Sequence, residues 1–188
     1  MRKVGFICEG QTEYILLKSE GFKAYLSSLN IEIAFDIIDA GGCKNLLPHN
    51  IEPSVRKLKD YGAEAIVILT DMDDDACITL TKERIHPQND YLVVIAVKQI
   101  EAWFLANTQT MRLLLNQPDF HFEFPESVLN PYKEIYQFLV YNRKGSYNKK
   151  RIVTRLLDLG FSLQDSASHP NCPSAKYFID KLIQLSSN

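Results

Sequence analysis

The feature that most constrains this chain is the run Ala65 to Thr70, apolar until its final threonine, which stops abruptly at Asp71-Met72-Asp73-Asp74-Asp75. A short, continuous run rich in Ile and Val reads as a strand covered on both faces, and that burial is characteristic of parallel sheets layered by helices. The aspartates mark where such a strand must leave the core, because buried carboxylates are costly unless compensated. Three further segments suit the same sheet: Val4 to Cys8, Ile31 to Ile38 and Tyr91 to Val97. Between them lie stretches with helical spacing. Thr12 to Leu29 carries Ile15, Leu16, Phe22, Tyr25, Leu26 and Leu29; Asn50 to Tyr61 carries Ile51, Val55 and Leu58. Cys77 to Ile85 suits a short helix, and Gln99 to Ala106 places Ile100, Trp103 and Phe104 on one side. Alternating strands and helices predict an α/β fold with a parallel, helix-covered sheet of about four strands.

The pattern changes after Thr108. Pro118, Pro125, Pro131, Pro170 and Pro173 punctuate segments that read as helices over Thr110 to Asn116, Pro131 to Val140, Lys149 to Leu159 and Ser174 to Leu185. The expected organisation is an α/β core over 1–107 and an α-helical C-terminal cap over 108–188, packed on the same domain. A chain of 188 residues with 46% hydrophobic content has material for one such core.

Charge and cysteine usage narrow the setting. A formal charge of −2 gives no global attraction for a polyanion, so nucleic acid would need a local basic patch or bridging cations. The four cysteines form no C-x-x-C pair, and Met1-Arg2-Lys3 runs directly into a strand, which suggests reduced thiols in a cytoplasm. The longest apolar runs fall well short of the roughly 20 residues of a membrane-spanning helix. His49, His86, His121 and His169 lack zinc spacing, and neither a G-x-S-x-G elbow nor a G-x-x-x-x-G-K-(S/T) loop occurs.

In an open parallel sheet, ligands bind outside the carboxyl ends of the strands, where the strand order reverses. Glu9 follows the first strand, Asp71 and Asp73 follow the third, and Glu101 follows the fourth. With the order 2-1-3-4, the first and third strands are neighbours, and Glu9 and the two aspartates come within reach of one ion. Gathered carboxylates raise one another's pKa unless a cation compensates them, and an all-oxygen set favours magnesium, manganese or calcium over zinc. The plainer alternatives are a solvated loop and helix start for Asp74 and Asp75, a helix cap for Glu9 and a surface position for Glu101. A receiver-like phosphoacceptor role for Asp71 lacks the expected early acidic pair and a lysine after the last strand.

The series Cys8-Glu9-Gly10-Gln11-Thr12-Glu13, Asp71-Met72-Asp73 and Glu101-Ala102-Trp103-Phe104-Leu105-Ala106 resembles the TOPRIM (topoisomerase and primase) superfamily. More narrowly, it is similar to bacterial proteins with E-G-x-T-E, D-x-D and E-x-W-L-A motifs, relatives of the TOPRIM half of overcoming-lysogenization-defect nucleases. The resemblance spans about Met1 to Asn107, with fainter similarity at Asn148-Lys149-Lys150 and Pro173-Ser174-Ala175. It implies a Rossmann-like sheet holding Mg²⁺, with Mn²⁺ as substitute, for phosphoryl transfer or phosphodiester cleavage. By that likeness Glu9, Asp71 and Asp73 are metal ligands, Glu13 is a supporting acid, and Glu101 serves a second metal or acts as a general base. Asn107 stands where the motif frequently has Asp, which removes a negative charge.

Two functional readings follow. In the first, the chain is a Mg²⁺-dependent nuclease: Glu9 or Glu101 takes a proton from water, Lys149 or Lys150 steadies the developing charge, and Arg143, Lys144, Lys149, Lys150, Arg151 and Arg155 meet nucleic acid. Tyr141 and Tyr147 offer faces for base stacking. In the second, the acidic site binds metal or a nucleotide without catalysis, and the helical half docks onto a protein partner such as an ATPase.

Overall fold

The run that ends at Asp71 forms β4 (Ala65–Asp71), and its neighbours follow the alternation of the sequence. In the computed structural model, which describes residues 1–85, 91–142, 144–145 and 147–187, β1 (Arg2–Cys8) lies beside β4, with Val4 to Cys8 registered on Ala65 to Leu69. On its other edge β1 pairs with β2 (Ile31–Ile33) and, further along, β3 (Ile38–Asp39); β4 pairs outward with β5 (Leu92–Ala96). Every pairing is parallel, and the order is β2-β1-β4-β5 with β3 beside β1. The 2-1-3-4 order read from the sequence is therefore present, with β4 and β5 as its third and fourth strands.

Two sequence expectations need correction. The span Ile31 to Ile38 is two short strands, because Asp36 turns its Oδ1 onto the Ile37 N–H at 2.8 Å, an Asx contact that competes with the ladder. The span Thr12 to Leu29 is likewise two helices, α1 (Gln11–Leu17) and α2 (Glu20–Ser28). Ser19 adopts an extended backbone between them, and its hydroxyl accepts the Phe22 N–H at 3.2 Å, so a new helix starts there.

Side chains alternate across the sheet and divide the interior. Ile7, Ile66, Ile68, Val93 and Ile95 face α3 (Pro48–Asp60) and α4 (Ile78–Ile85), where they meet Leu46, Ile51, Val55, Leu58 and Ile85. Gly5 sits on this face because a Cβ there would come within 2.9 Å of the Leu58 and Ile66 side chains. Val4, Phe6, Cys8, Val67, Leu69, Val94 and Ala96 face the larger cluster. That cluster continues through α5 (Glu101–Ala106) into α6 (Thr108–Leu115), α7 (Pro131–Tyr141), α8 (Lys149–Asp158), α9 (Leu163–Ala167) and α10 (Pro173–Ser186).

Trp103 joins these parts. It is fully buried, its ring lies 5.9 Å from that of Phe178 on α10, and Phe178 lies 6.0 Å from Phe22 on α2. Its indole N–H donates to Ser174 Oγ at 2.7 Å, and its backbone carbonyl accepts Ser166 Oγ at 2.8 Å. α5 is consequently clamped between sheet and helical half, which determines where Glu101 points. Among the described residues, no helix is long and apolar enough to cross a membrane.

Candidate functional site

Glu9 leaves β1 at its carboxyl end, where its backbone N–H still bonds Leu69 O at 2.9 Å, a last rung between β1 and β4. Its side chain turns toward β4: Oε2 accepts the Thr70 hydroxyl at 2.5 Å and the Asp71 N–H at 3.2 Å. Glu9 and Asp71, distant in sequence, therefore stand side by side. Thr70 is the residue that sequence reading passed over. The signal for it was a hydroxyl at the end of an otherwise apolar strand, and burial there requires a partner, which is Glu9.

Asp71 is 7% exposed, and its Oδ1 accepts the Ile100 N–H at 2.7 Å just before α5 begins. It thus fastens the end of β4 to the start of the helix that carries Glu101. Glu13, in the first turn of α1, is 5% exposed. Glu101 is fully buried in the first turn of α5. Lys149, the first residue of α8, reaches down to it with Nζ 3.2 Å from Oε1 and 3.4 Å from Oε2. Oε1 makes no hydrogen bond despite lying near the ammonium, so it is a buried acceptor with unused capacity. Lys149 Nζ also lies 5.5 Å from the centre of the Tyr132 ring.

These groups perturb one another. Burial, with the charges of Glu101 and Glu9, lifts the Glu13 carboxyl to about 7, although Lys149 and a backbone hydrogen bond oppose it. Burial also raises Asp71 well above the usual carboxylate range, with Glu13, Glu101 and Glu9 adding to the effect. Glu101 is raised chiefly by burial, with Lys149 working against it. For Lys149 burial disfavours the charge, but Glu101, Asp71 and Glu13 outweigh it and the ammonium is stabilised. Lys149 cannot compensate all of these carboxylates at once, so burial and mutual repulsion favour their protonated forms in the absence of another cation.

A pocket of about 470 Å³ opens onto this cluster, lined by Glu9, Glu13, Asp71, Lys149 and Lys150 together with Asp39, Gly10 to Thr12 and Gly41-Gly42, while the fully buried Glu101 lies behind Lys149 and does not line it. Asp73 does not line it. Asp73 is exposed with φ +48°, and its N–H donates to the carbonyl of Lys98, itself at φ +62°. Both left-handed residues sit just beyond adjacent strand ends, a location where backbone strain gathers near functional sites. The charge of Asp73 reaches Glu101 and contributes to raising it.

Among the described residues, no three His, Cys, Asp or Glu side chains already converge on one ion position. The reason is visible in their contacts: Glu9 is turned to Thr70 and Asp71, Asp71 to Ile100, and Glu101 to Lys149. The chemistry of the set nevertheless fits a hard divalent cation. The donors are all carboxylate oxygens, burial and mutual repulsion penalise their ionised forms unless a cation compensates them, and Glu101 Oε1 is a buried acceptor without a hydrogen-bond donor.

Asn107 is occupied structurally. Its Oδ1 accepts the Thr110 N–H at 3.1 Å, capping α6, and its Nδ2 donates to Ser162 O at 3.1 Å. His169 is similarly engaged, bonded to Phe122 O and to the Asn171 N–H and stacked on His121.

The basic residues run along α8. Lys150, Arg151, Thr154 and Arg155 line a groove of about 610 Å³ with Tyr147, Asn148 and, at its far end, Asp158, and Lys150 lines the acidic pocket as well. The Arg151 guanidinium covers the Tyr147 ring at 4.3 Å, whereas Tyr141 is 83% exposed at the end of α7. Lys144 is exposed nearby, and Arg143 lies outside the described residues. A second cleft of about 610 Å³, between β5, α4 and the start of α10, is lined mainly by apolar groups and stands apart from the carboxylate cluster.

No family model matches the chain, and no curated protein does. Among solved structures, the chain is similar to the C-terminal region of the Burkholderia pseudomallei OLD protein, at 17% identity and a TM-score of 0.49, over 96% of this chain and 98% of that one.

Proposed function

We propose that this chain is a divalent-metal-dependent phosphodiesterase acting on nucleic acid. The observation that carries the reading is the set Glu9, Glu13, Asp71 and Glu101 gathered at the carboxyl edge of a parallel sheet beside Lys149, with Asp71 raised by burial and further by its like-charged neighbours. Glu9, Asp71 and Glu101 are the residues suited to hold Mg²⁺, with Glu13 supporting them and Asp73 at the rim. Mn²⁺ suits the same oxygen donors.

When bound, Mg²⁺ supplies charge neutralisation at a phosphate oxygen and lowers the pKa of a water. The remaining work falls to the chain's own groups. Thr70 and the Asp71 N–H hold Glu9 in a fixed orientation. Glu13, raised to about 7 by burial, is placed to accept a proton near neutral pH, and burial raises the Glu101 carboxyl as well. Lys149 and Lys150 bring positive charge to the mouth of the pocket, where an oxyanion would gain from it. Because Lys150 also belongs to the α8 groove, a polyanion lying along Arg151 and Arg155 would run directly to the acidic cluster.

The test is cleavage of single- and double-stranded DNA and RNA by the intact protein with and without Mg²⁺, alongside Asp71→Ala. Metal-dependent turnover that this substitution removes is the expected result. Absence of turnover, or turnover indifferent to Asp71→Ala, discards the reading, and tight capture of a protein partner without cleavage favours a regulatory module in its place.

A further inference from the structure

We infer that Lys149 is an exchangeable internal cation, which balances Glu101 and its neighbours when no metal is present and is released from Glu101 when a divalent ion binds. The inference rests on reading the carboxylate cluster as a metal centre, and it adds how that centre is regulated.

Geometry gives the first argument. The Lys149 ammonium stands 3.2 and 3.4 Å from the two oxygens of a fully buried carboxylate, and Lys149 lines the pocket that Glu101 itself does not reach. The hold is chiefly one of charge: Oε1, 3.2 Å away, is not aligned to accept a hydrogen bond, and the bond to Oε2 is 3.4 Å long.

The second argument concerns the helix that carries it. Lys149, Lys150 and Arg151 fill the first turn of α8, which contains no acidic residue. A helix N-terminus carries positive partial charge and disfavours cations. Lys149 is therefore held inward by the carboxylates and pushed outward by its own helix and by Lys150 and Arg151. Remove the negative charge, and the balance reverses. A divalent ion on Glu9, Asp71 and Glu101 does so, and it adds direct repulsion.

An exit exists as well. The Lys149 side chain is 39% exposed and lines the same pocket as Lys150, so a rotamer change carries the ammonium to the pocket mouth without unfolding α8. There it faces an incoming phosphate. Metal binding and phosphate binding then reinforce each other through one lysine, and linkage requires the effect to be reciprocal.

Mn²⁺ binding by the intact protein, followed by calorimetry and by electron paramagnetic resonance, tests this with Lys149→Met. Loss of the competing cation should tighten Mn²⁺ binding by about fivefold or more. In parallel, the Lys149 ¹⁵Nζ and ¹³Cε resonances of the unaltered protein, followed during a Mg²⁺ titration, should shift in step with metal occupancy. Mn²⁺ bound by the unaltered protein but equally or more weakly by a folded Lys149→Met variant overturns the exchange while leaving the metal centre intact. Lys149 resonances unmoved at saturating Mg²⁺ overturn it too, whether or not the variant folds. If neither protein binds Mn²⁺, the metal centre fails and the exchange with it.

Discussion

The Glu9 carboxylate accepts the backbone N–H of Asp71 at 3.2 Å while taking the Thr70 hydroxyl at 2.5 Å, so the residue just beyond β1 and the last residue of β4 share one acidic corner. This contact turns an adjacency of strands into a chemical site. It also keeps Glu9 in place while Asp71, bonded to Ile100, fixes the start of α5.

Asp71→Asn separates the charge of Asp71 from its structural role, since an amide oxygen can still accept the Ile100 N–H. Metal-dependent cleavage should fall by about two orders of magnitude or more. The metal-free protein should melt a few degrees higher near pH 8, because burial makes ionising this carboxyl costly in the folded state and an amide does not ionise. Calorimetric melting and a cleavage assay on the same preparation check both halves.

Thr70→Val removes the hydroxyl that orients Glu9 with little change in side-chain volume. A loss of about 1 kcal/mol in stability is expected, the usual net value of such a bond. Mn²⁺ affinity should fall several-fold because Glu9 is then free to turn. Denaturant titration and calorimetry measure the two effects, and unchanged affinity would show that Glu9 is no ligand.

The stability of the metal-free protein should depend on pH through Glu13. Its folded carboxyl lies near 7 against 4.5 for the ordinary group, so the folded state holds a proton that the unfolded state has released. The stabilisation is fully present below about pH 4.5 and is lost as pH rises through 7, on the order of 3 kcal/mol. Asp71 and Glu101, also raised, act in the same direction. Glu13→Gln should flatten this slope, and saturating Mg²⁺ should flatten it in the unaltered protein. Melting temperatures between pH 5 and 8 provide the measurement.

Lys150→Ala combined with Arg155→Ala should weaken binding to single-stranded and duplex substrates alike. The slope of log affinity against log salt should drop by about 1.4 to 1.8, the loss of two phosphate contacts. An unchanged slope in a fluorescence titration across several salt concentrations would place the nucleic acid elsewhere.

Ser174→Ala should destabilise the junction between sheet and helical half. Ser174 Oγ accepts the Trp103 indole N–H and donates to Glu126 at 2.6 Å, so its loss leaves a buried donor unpaired, at a cost of about 1 to 3 kcal/mol. Denaturant unfolding followed by Trp103 fluorescence reports it directly.

Much of the architecture could be read along the chain because its signals are local. An apolar run stopped by aspartates marks β4 and its exit, and helical spacing marks α3 and α10. The positions of Glu9, Asp71 and Glu101 at strand ends follow from the same alternation. The breaks at Ser19 and Asp36 were less legible, because each depends on one side chain competing for a neighbouring backbone N–H. Apolar periodicity carries no trace of that competition.

What tertiary structure alone decided is where each carboxylate points and what balances it. Glu101 was readable as a second-metal ligand or general base, or as a surface residue beside Trp103, and only the packing of α5, with Trp103 bonded to Ser174 and Ser166, shows its carboxylate fully buried. Lys149 faces it only because α8 packs beside α1, a long-range arrangement that no local spacing encodes. Asn107, unreadable as ligand or support, is committed by its bonds to Thr110 and Ser162. Sequence determined which groups reach the sheet edge, since strand ends follow from burial. Packing determined their charge state and partners, because desolvation and Coulomb interactions depend on distances between segments far apart in the chain.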